Sequence, residues 1–328
     1  MIRFALSACD FLTVLVCCSD KEPVAETVRK NWIEKTFASV ENLEVKGFNY
    51  SEGKLPNTSV SSEEVSKLWA EKFEELLPGY DLVITSEAYG DYVAQFMGIK
   101  HLVFDMDRQL LPVSATAVRN DLFANWQYLP ASVKPDLAIK VVILGTESTG
   151  KSTLTERLAL HYNCSAVTEA GRDLIDDSNS FSPEDLHLVA NEHARRIDEA
   201  YSGKSPLIII DTDIHITQSY ARFTFGKTLE VSDSIRNSNK ADLYLYLNND
   251  ATYVQDGTRL EETDRNALDR SHREILKENN IEYVEIDGSW EQRFIKATGY
   301  IDLLVKQKAR GAWEEAPRLT EKINYNLC

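Results

Sequence analysis

Cysteine is scarce in this sequence. There are five in 328 residues, Cys9, Cys17, Cys18, Cys164 and Cys328, at no metal-ligand spacing and in no even framework. That pattern excludes a disulfide-stapled secreted scaffold and a cysteine zinc site, so the expectation is reduced thiols in a cytoplasmic protein. Long apolar runs are missing too, and none reaches the length of a membrane span. The start does not read as a signal peptide, because acidic Asp10 interrupts the approach to the apolar stretch 11–18, which reads better as a strand. Positive charge is in deficit, with 36 Lys and Arg against 52 Asp and Glu and a formal net charge of -16. A surface of that sign argues against non-specific binding to nucleic acid or to a membrane, and it favours solubility.

What is present is organised around residues 140–153. The apolar, β-branched run 141–144 reads as a buried strand. It runs into Gly145-Thr146-Glu147-Ser148-Thr149-Gly150-Lys151-Ser152, which fits G-x-x-x-x-G-K-[ST] at every fixed position. Thr153 and a helical pattern carrying Leu154, Leu158 and Leu160 follow at once. Glycines let backbone amides wrap a phosphate, and the helix N-terminus adds positive potential. Lys151 then reaches the outer phosphates of a nucleoside triphosphate, and the Ser152 hydroxyl is placed to hold Mg2+.

Length suits two domains of ordinary size. In the first half a helix end at 1–9 is followed by an apolar run at 11–17, a helix at 23–37, a strand at 43–48, a helix at 63–77 and strands at 81–85 and 101–105. That alternation implies a parallel sheet with helices on its faces. Next comes Val113-Ser114-Ala115-Thr116-Ala117-Val118-Arg119, a helix start with two hydroxyls and an arginine. It fits either a phosphate cradle or a plain N-cap. Residues 122–140 read as a short linker broken at Pro130 and Pro135.

In the second half a strand at 166–168 feeds Glu169-Ala170-Gly171-Arg172-Asp173. A carboxylate and an arginine there sit where open α/β sheets bind ligands, although the same pair fits a surface ion pair. His193, on a helix at 183–201, reads as a packed or solvated helix residue. The run 207–210 ends in Asp211-Thr212-Asp213. P-loop proteins place a magnesium-binding carboxylate at such a strand tip, and the second carboxylate is available as a base. A strand at 241–247 leads to Asp256-Gly257-Thr258-Arg259, with Arg265 beyond. Arginines on a mobile flap cover phosphates in small-molecule kinases.

These motifs resemble those of the NadR-type proteins, in which a nicotinamide-mononucleotide adenylyltransferase half precedes a ribosylnicotinamide kinase half. Val113 to Arg119 resembles the adenylyltransferase motif (Ile/Val)-Ser-x-Thr-x-x-Arg, with Thr85-Ser86-Glu87, Arg29 and Trp32 as further matches. The resemblance runs from near the first residue to about Ala297. It implies that Ser114, Thr116 and Arg119 contact ATP phosphates, that Glu169 and Arg172 belong to the acceptor site, and that Arg259 and Arg265 are lid residues. Two departures stand out. The family's initial strand and (His/Thr)-x-Gly-His motif do not occur in these 328 residues. The aromatic residues that would hold a nicotinamide ring near Glu169 are replaced by Val167, Thr168 and Ala170.

The resulting expectation is an α/β protein of two parallel-sheet domains. An incomplete Rossmann-like nucleotidyltransferase domain at 1–136 precedes a P-loop kinase domain at 137–310 and a tail at 311–328. The first half is expected to be structurally incomplete and catalytically weak or dead. The second is expected to phosphorylate nicotinamide riboside with ATP and Mg2+. Lys151 and the loop 145–153 would hold phosphates, and Ser152 and Asp211 the metal. Asp213 or Glu169 would orient or deprotonate the acceptor hydroxyl, and the sequence does not choose between them. Arg172, Arg259 and Arg265 would stabilise transferring charge. A kinase for another nucleoside-like acceptor, and a nucleotide-binding regulator without turnover, are the competing readings.

Overall fold

The computed structural model describes residues 1–57, 61–175, 181–250 and 262–311. The chain divides into two compact units, Met1–Ala117 and Val118–Cys328, and is mixed α/β with parallel sheets.

In the first unit α1 (Ile2–Ala8) precedes β1 (Leu12–Ser19), α2 (Glu26–Thr36), β2 (Leu43–Tyr50), α3 (Glu63–Leu76), β3 (Leu82–Thr85), α4 (Tyr89–Met97) and β4 (Lys100–Val103). The strands form two separate parallel pairs, not one sheet. β1 pairs with β2 from Leu12↔Leu43 to Ser19↔Tyr50, and β3 pairs with β4 from Leu82↔Lys100 to Thr85↔Val103. Among the described residues no strand bridges the pairs. They are joined through side chains: the Tyr80 and Thr13 hydroxyls are hydrogen-bonded, and the rings of Phe4 and Phe104 lie 4.8 Å apart. The sequence reading passed from the loop at 86–87 straight to a strand, yet α4 lies between. Its apolar positions Tyr89, Val93 and Met97 recur at helical spacing, and Gly98 ends it in the left-handed conformation at φ 66.

α5 (Ala115–Asn120), α6 (Leu122–Asn125), a 3₁₀ turn at Trp126–Tyr128 and α7 (Lys134–Leu137) lead to the second sheet. There follow β5 (Ile139–Leu144), α8 (Lys151–Tyr162), β6 (Ser165–Val167), α9 (Gly171–Leu174), α10 (Pro183–Ala200) and β7 (Leu207–Asp211). The unit continues with α11 (Ile214–Phe225), α12 (Asp233–Asn239), β8 (Leu243–Leu247), α13 (Glu262–Glu278), β9 (Val284–Ile286) and α14 (Trp290–Gly311).

The five strands are parallel in the order β6-β7-β5-β8-β9. Every residue of β5, β7 and β8 is buried, which is why their sequences are apolar without alternation: both faces are covered by helices. The pleat still sorts them. Ile139, Val141 and Ile143 pack with Leu154 and Leu158 of α8 and with Ala297, Ile301 and Leu304 of α14. A second cluster joins Leu186, Ala190 and Ala194 of α10 to Ile214 and Ala221 of α11. Among the described residues no helix is long and apolar enough to cross a membrane.

Candidate functional site

The carboxyl ends of β5, β6 and β7 open on one side of the second sheet, where the loops of an open α/β sheet bind ligands. The loop after β5 is shaped by two glycines. Gly145 has φ 141, and a Cβ there would sit 2.9 Å from the Leu247 carbonyl oxygen and 2.8 Å from Thr149 Oγ1. Gly150 has φ 87 and starts α8, and a Cβ there would lie 2.0 Å from Cζ3 of Trp290. Both positions therefore require glycine for conformation and for space. Ser148 is also left-handed, at φ 63. Inside the loop Thr149 Oγ1 donates to the Thr146 carbonyl at 2.8 Å, and Lys151 Nζ donates to the same oxygen at 3.0 Å.

Arg293 of α14 ties this loop to its surroundings. It is almost fully buried and donates to the carbonyls of Thr149 at 2.7 Å, Gly288 at 2.9 Å and Asn248 at 3.0 Å, while pairing with Asp250. The sequence reading missed it, because its partners lie up to 144 residues away.

The Ser152 hydroxyl donates to Oδ2 of Asp211. The other oxygen, Asp211 Oδ1, is buried without a hydrogen-bond partner among the described residues. Burial pushes the Asp211 carboxyl up from its ordinary range and Glu169 adds to this, while Lys151 and the Ser152 hydroxyl pull it down. A hydroxyl and a carboxylate with an uncommitted oxygen form a donor set that suits Mg2+ beside phosphates.

A cavity of about 740 Å3 runs from this loop to the ends of β6 and β7. Ser148, Gly150, Lys151, Ser152 and Thr153 line one part, and Glu169 and Arg172 another. Arg172 Nε donates to Glu169 Oε2 at 3.1 Å. Phe181, Ile175, Leu186 and Val189 supply an apolar wall, and Tyr220 donates to Glu147 Oε1 at 3.0 Å. Burial, then Glu147 and Glu169, push the Tyr220 hydroxyl well above its ordinary range, so it stays a neutral donor. His193 also lines the cavity, but it is packed: burial lowers its pKa, and Nε2 donates to the Thr212 carbonyl at 3.2 Å.

The other sequence candidates lie elsewhere. Asp213 does not line the cavity. It caps α11, accepting from the amides of His215 and Ile216 at 3.0 and 3.3 Å and from the His215 ring. Arg265 is buried on α13, also off the cavity lining, and Arg259 lies outside the described residues. In the region of α5, Ser114 Oγ accepts from the Ala117 amide at 3.0 Å, a plain capping bond, while Thr116 and Arg119 are exposed. Residues lining the cavity that the sequence reading did not select include Phe181, Tyr220 and Trp290. Trp290 alone carried a local signal, an aromatic residue at a helix start just past a strand.

Behind the loop, His272 of α13 is completely buried, with Nδ1 2.7 Å from Ser219 Oγ. Burial, with Lys151 and Arg273 nearby, holds its pKa down to about 3. The folded protein keeps this ring neutral, whereas the unfolded chain protonates it below about pH 6.5. Its contribution is therefore whole above that pH and is lost as pH falls toward the folded pKa. Between pH 7 and pH 5 this costs about 2 kcal/mol. His193 acts in the same sense. His215, raised by Asp213 against its burial, gains stability as pH falls through the unfolded value and so partly offsets that loss in the upper part of this window. Urea unfolding midpoints should fall between pH 7 and 5, and His272→Asn should fall less; an equal fall would show that the ring is not held neutral.

The AAA domain family matches residues 140–293. The trifunctional NAD biosynthesis/regulator protein NadR of Escherichia coli K12 is 32% identical over 280 residues, covering 82% of this chain and 67% of the relative. Its counterpart from Salmonella typhimurium LT2 is 31% identical over 279 residues, with the same coverage. A crystal structure of a NadR protein in complex with NR superposes with a TM-score of 0.60 at 19% identity, over 97% of this chain and 93% of that one. Another, in complex with NAD and AMP-PNP, gives 0.59 at 19% identity, over 92% and 90%.

Proposed function

This chain belongs to the NadR family of NAD biosynthesis proteins and carries a P-loop kinase domain, and from that premise we propose that its second unit transfers the γ-phosphoryl group of ATP to nicotinamide riboside. The observation that carries the reading is the single cavity that joins the phosphate loop to the Glu169–Arg172 pair. One wall suits the triphosphate and the other suits a polyhydroxylated acceptor beside an apolar surface. Phe181 and Tyr220 supply aromatic faces in place of those missing around Ala170. Glu147 and Glu169 favour an acceptor whose ring is a cation, as the pyridinium of nicotinamide riboside is.

In this mechanism the loop amides and Lys151 hold the β- and γ-phosphates and balance developing charge. Ser152 and Asp211 hold Mg2+, which when bound neutralises phosphate oxygens. Glu169 accepts a hydrogen bond from the acceptor hydroxyl and takes its proton as the oxygen attacks phosphorus. The bond from the γ-phosphorus to the bridging oxygen breaks and ADP leaves. Arg172 orients Glu169 and faces the transferring group. Arg259 remains a proposed lid residue, whereas Arg265, buried on α13 and off the cavity lining, does not.

The purified chain should consume ATP with Mg2+ only when nicotinamide riboside is present, forming one nicotinamide mononucleotide per ATP. Bound ATP with no turnover on this or any other nucleoside would sink the kinase reading.

We further propose that the first unit makes no NAD. What supports this is the division of its described strands into two pairs and the plain capping role of Ser114. Nicotinamide mononucleotide and ATP should give no NAD with this chain, and measurable NAD would overturn the reading.

A further inference from the structure

Trp290 is the one tryptophan lining the cavity among the described residues, and the residue is 53% exposed. Its ring edge covers Gly150, the last residue before Lys151, so the indole is in contact with the loop that would hold the phosphates. The Arg293 guanidinium lies 5.6 Å from the ring centroid, and the same side chain is anchored on the carbonyls of Thr149 and Gly288. The ring is thus bounded by fixed groups while keeping much of its surface open.

The sheet order says what that open surface faces. Glu169 and Arg172 follow β6 at one edge, the phosphate loop follows β5 in the centre, and Trp290 follows β9 at the other edge. An acceptor placed by Glu169 occupies the β6 side. The nucleoside at the far end of the phosphate chain must then extend toward the β9 side, two strand spacings or about 10 Å from β5.

We propose that Trp290 is the stacking platform for the base of the donor nucleoside triphosphate. An exposed indole beside a polar phosphate site is suited to a flat heteroaromatic ring, and stacking needs no hydrogen bond to the base edge. This rests on the reading that residues 145–152 hold the phosphates. Trp290 is a binding residue: it holds the donor and takes no part in bond making.

The test separates base from phosphate. The full chain, Trp290→Ala and Trp290→Phe are titrated by calorimetry with MgATP and, separately, with inorganic tripolyphosphate and Mg2+. Trp290→Ala should bind ATP about tenfold or more weakly, and Trp290→Phe should stay within about threefold of the parent. All three should bind tripolyphosphate alike. Equal weakening toward both ligands would overturn the proposal, since Trp290 would then act only on the loop shape at Gly150. Unchanged ATP binding by Trp290→Ala would overturn it while leaving the phosphate loop intact. A parent chain that binds neither ligand would show instead that the phosphate-loop reading has failed, and the platform with it.

Discussion

Replacing Lys151 with alanine should lower the proposed phosphorylation of nicotinamide riboside by on the order of 10²–10³-fold, an effect in kcat. The ammonium is buried at the start of α8 and donates to the Thr146 carbonyl at 3.0 Å, so it is already oriented within the phosphate loop. Such pre-placed charge acts most strongly where charge builds up in the transition state. A second consequence follows from its neighbours. Lys151 is the strongest influence holding the Asp211 carboxyl down against burial. Without it the carboxyl becomes a weaker acid, so the residual turnover should shift its pH dependence upward. Stopped-flow single-turnover kinetics at several pH values measure both effects. Turnover within tenfold of the parent would show that the loop does not serve phosphoryl transfer.

Glu169→Gln should cut kcat by about 10²–10⁴-fold, the range for loss of a positioned general base. Its melting temperature should hardly move, because the Arg172 partner is largely exposed and such pairs contribute little. Asp213→Asn should show the reverse. Asp213 is fully buried at the N-terminus of α11 and bonds two amides and the His215 ring. The neutral amide weakens the cap and loses the ion pair, costing about 1–2 kcal/mol of stability with most turnover retained. Kinetics and thermal melts of the two variants together decide between the carboxylates. Intact turnover in Glu169→Gln and its loss in Asp213→Asn would move the base to Asp213.

Both carboxylates follow a strand in sequence, and local pattern does not separate them. Asp213 begins a helix with amides that need an acceptor, and that local demand turns its side chain away from the cavity lining. Glu169 has no such demand and pairs with Arg172 along the cavity wall. The Ser114 region behaves as Asp213 does: a hydroxyl at a helix start meets its nearest amide.

Sequence by itself determined the features set by short-range chemistry. The phosphate loop is legible because left-handed glycines, a lysine and a hydroxyl must stand at fixed spacing. β5, β7 and β8 are legible because burial on two faces demands unbroken apolar runs. Tertiary structure decided the rest. An apolar strand carries no mark of which neighbour it takes, so the order that sets Glu169 and Trp290 on opposite sides of the loop appears only when the sheet forms. The same holds for the two strand pairs of the first unit, and for Arg293, whose guanidinium becomes useful only beside the carbonyls of Thr149 and Asn248, brought from two distant segments. Backbone conformation and burial preference are properties of neighbouring residues, whereas a cavity wall is made by packing elements that local pattern does not connect.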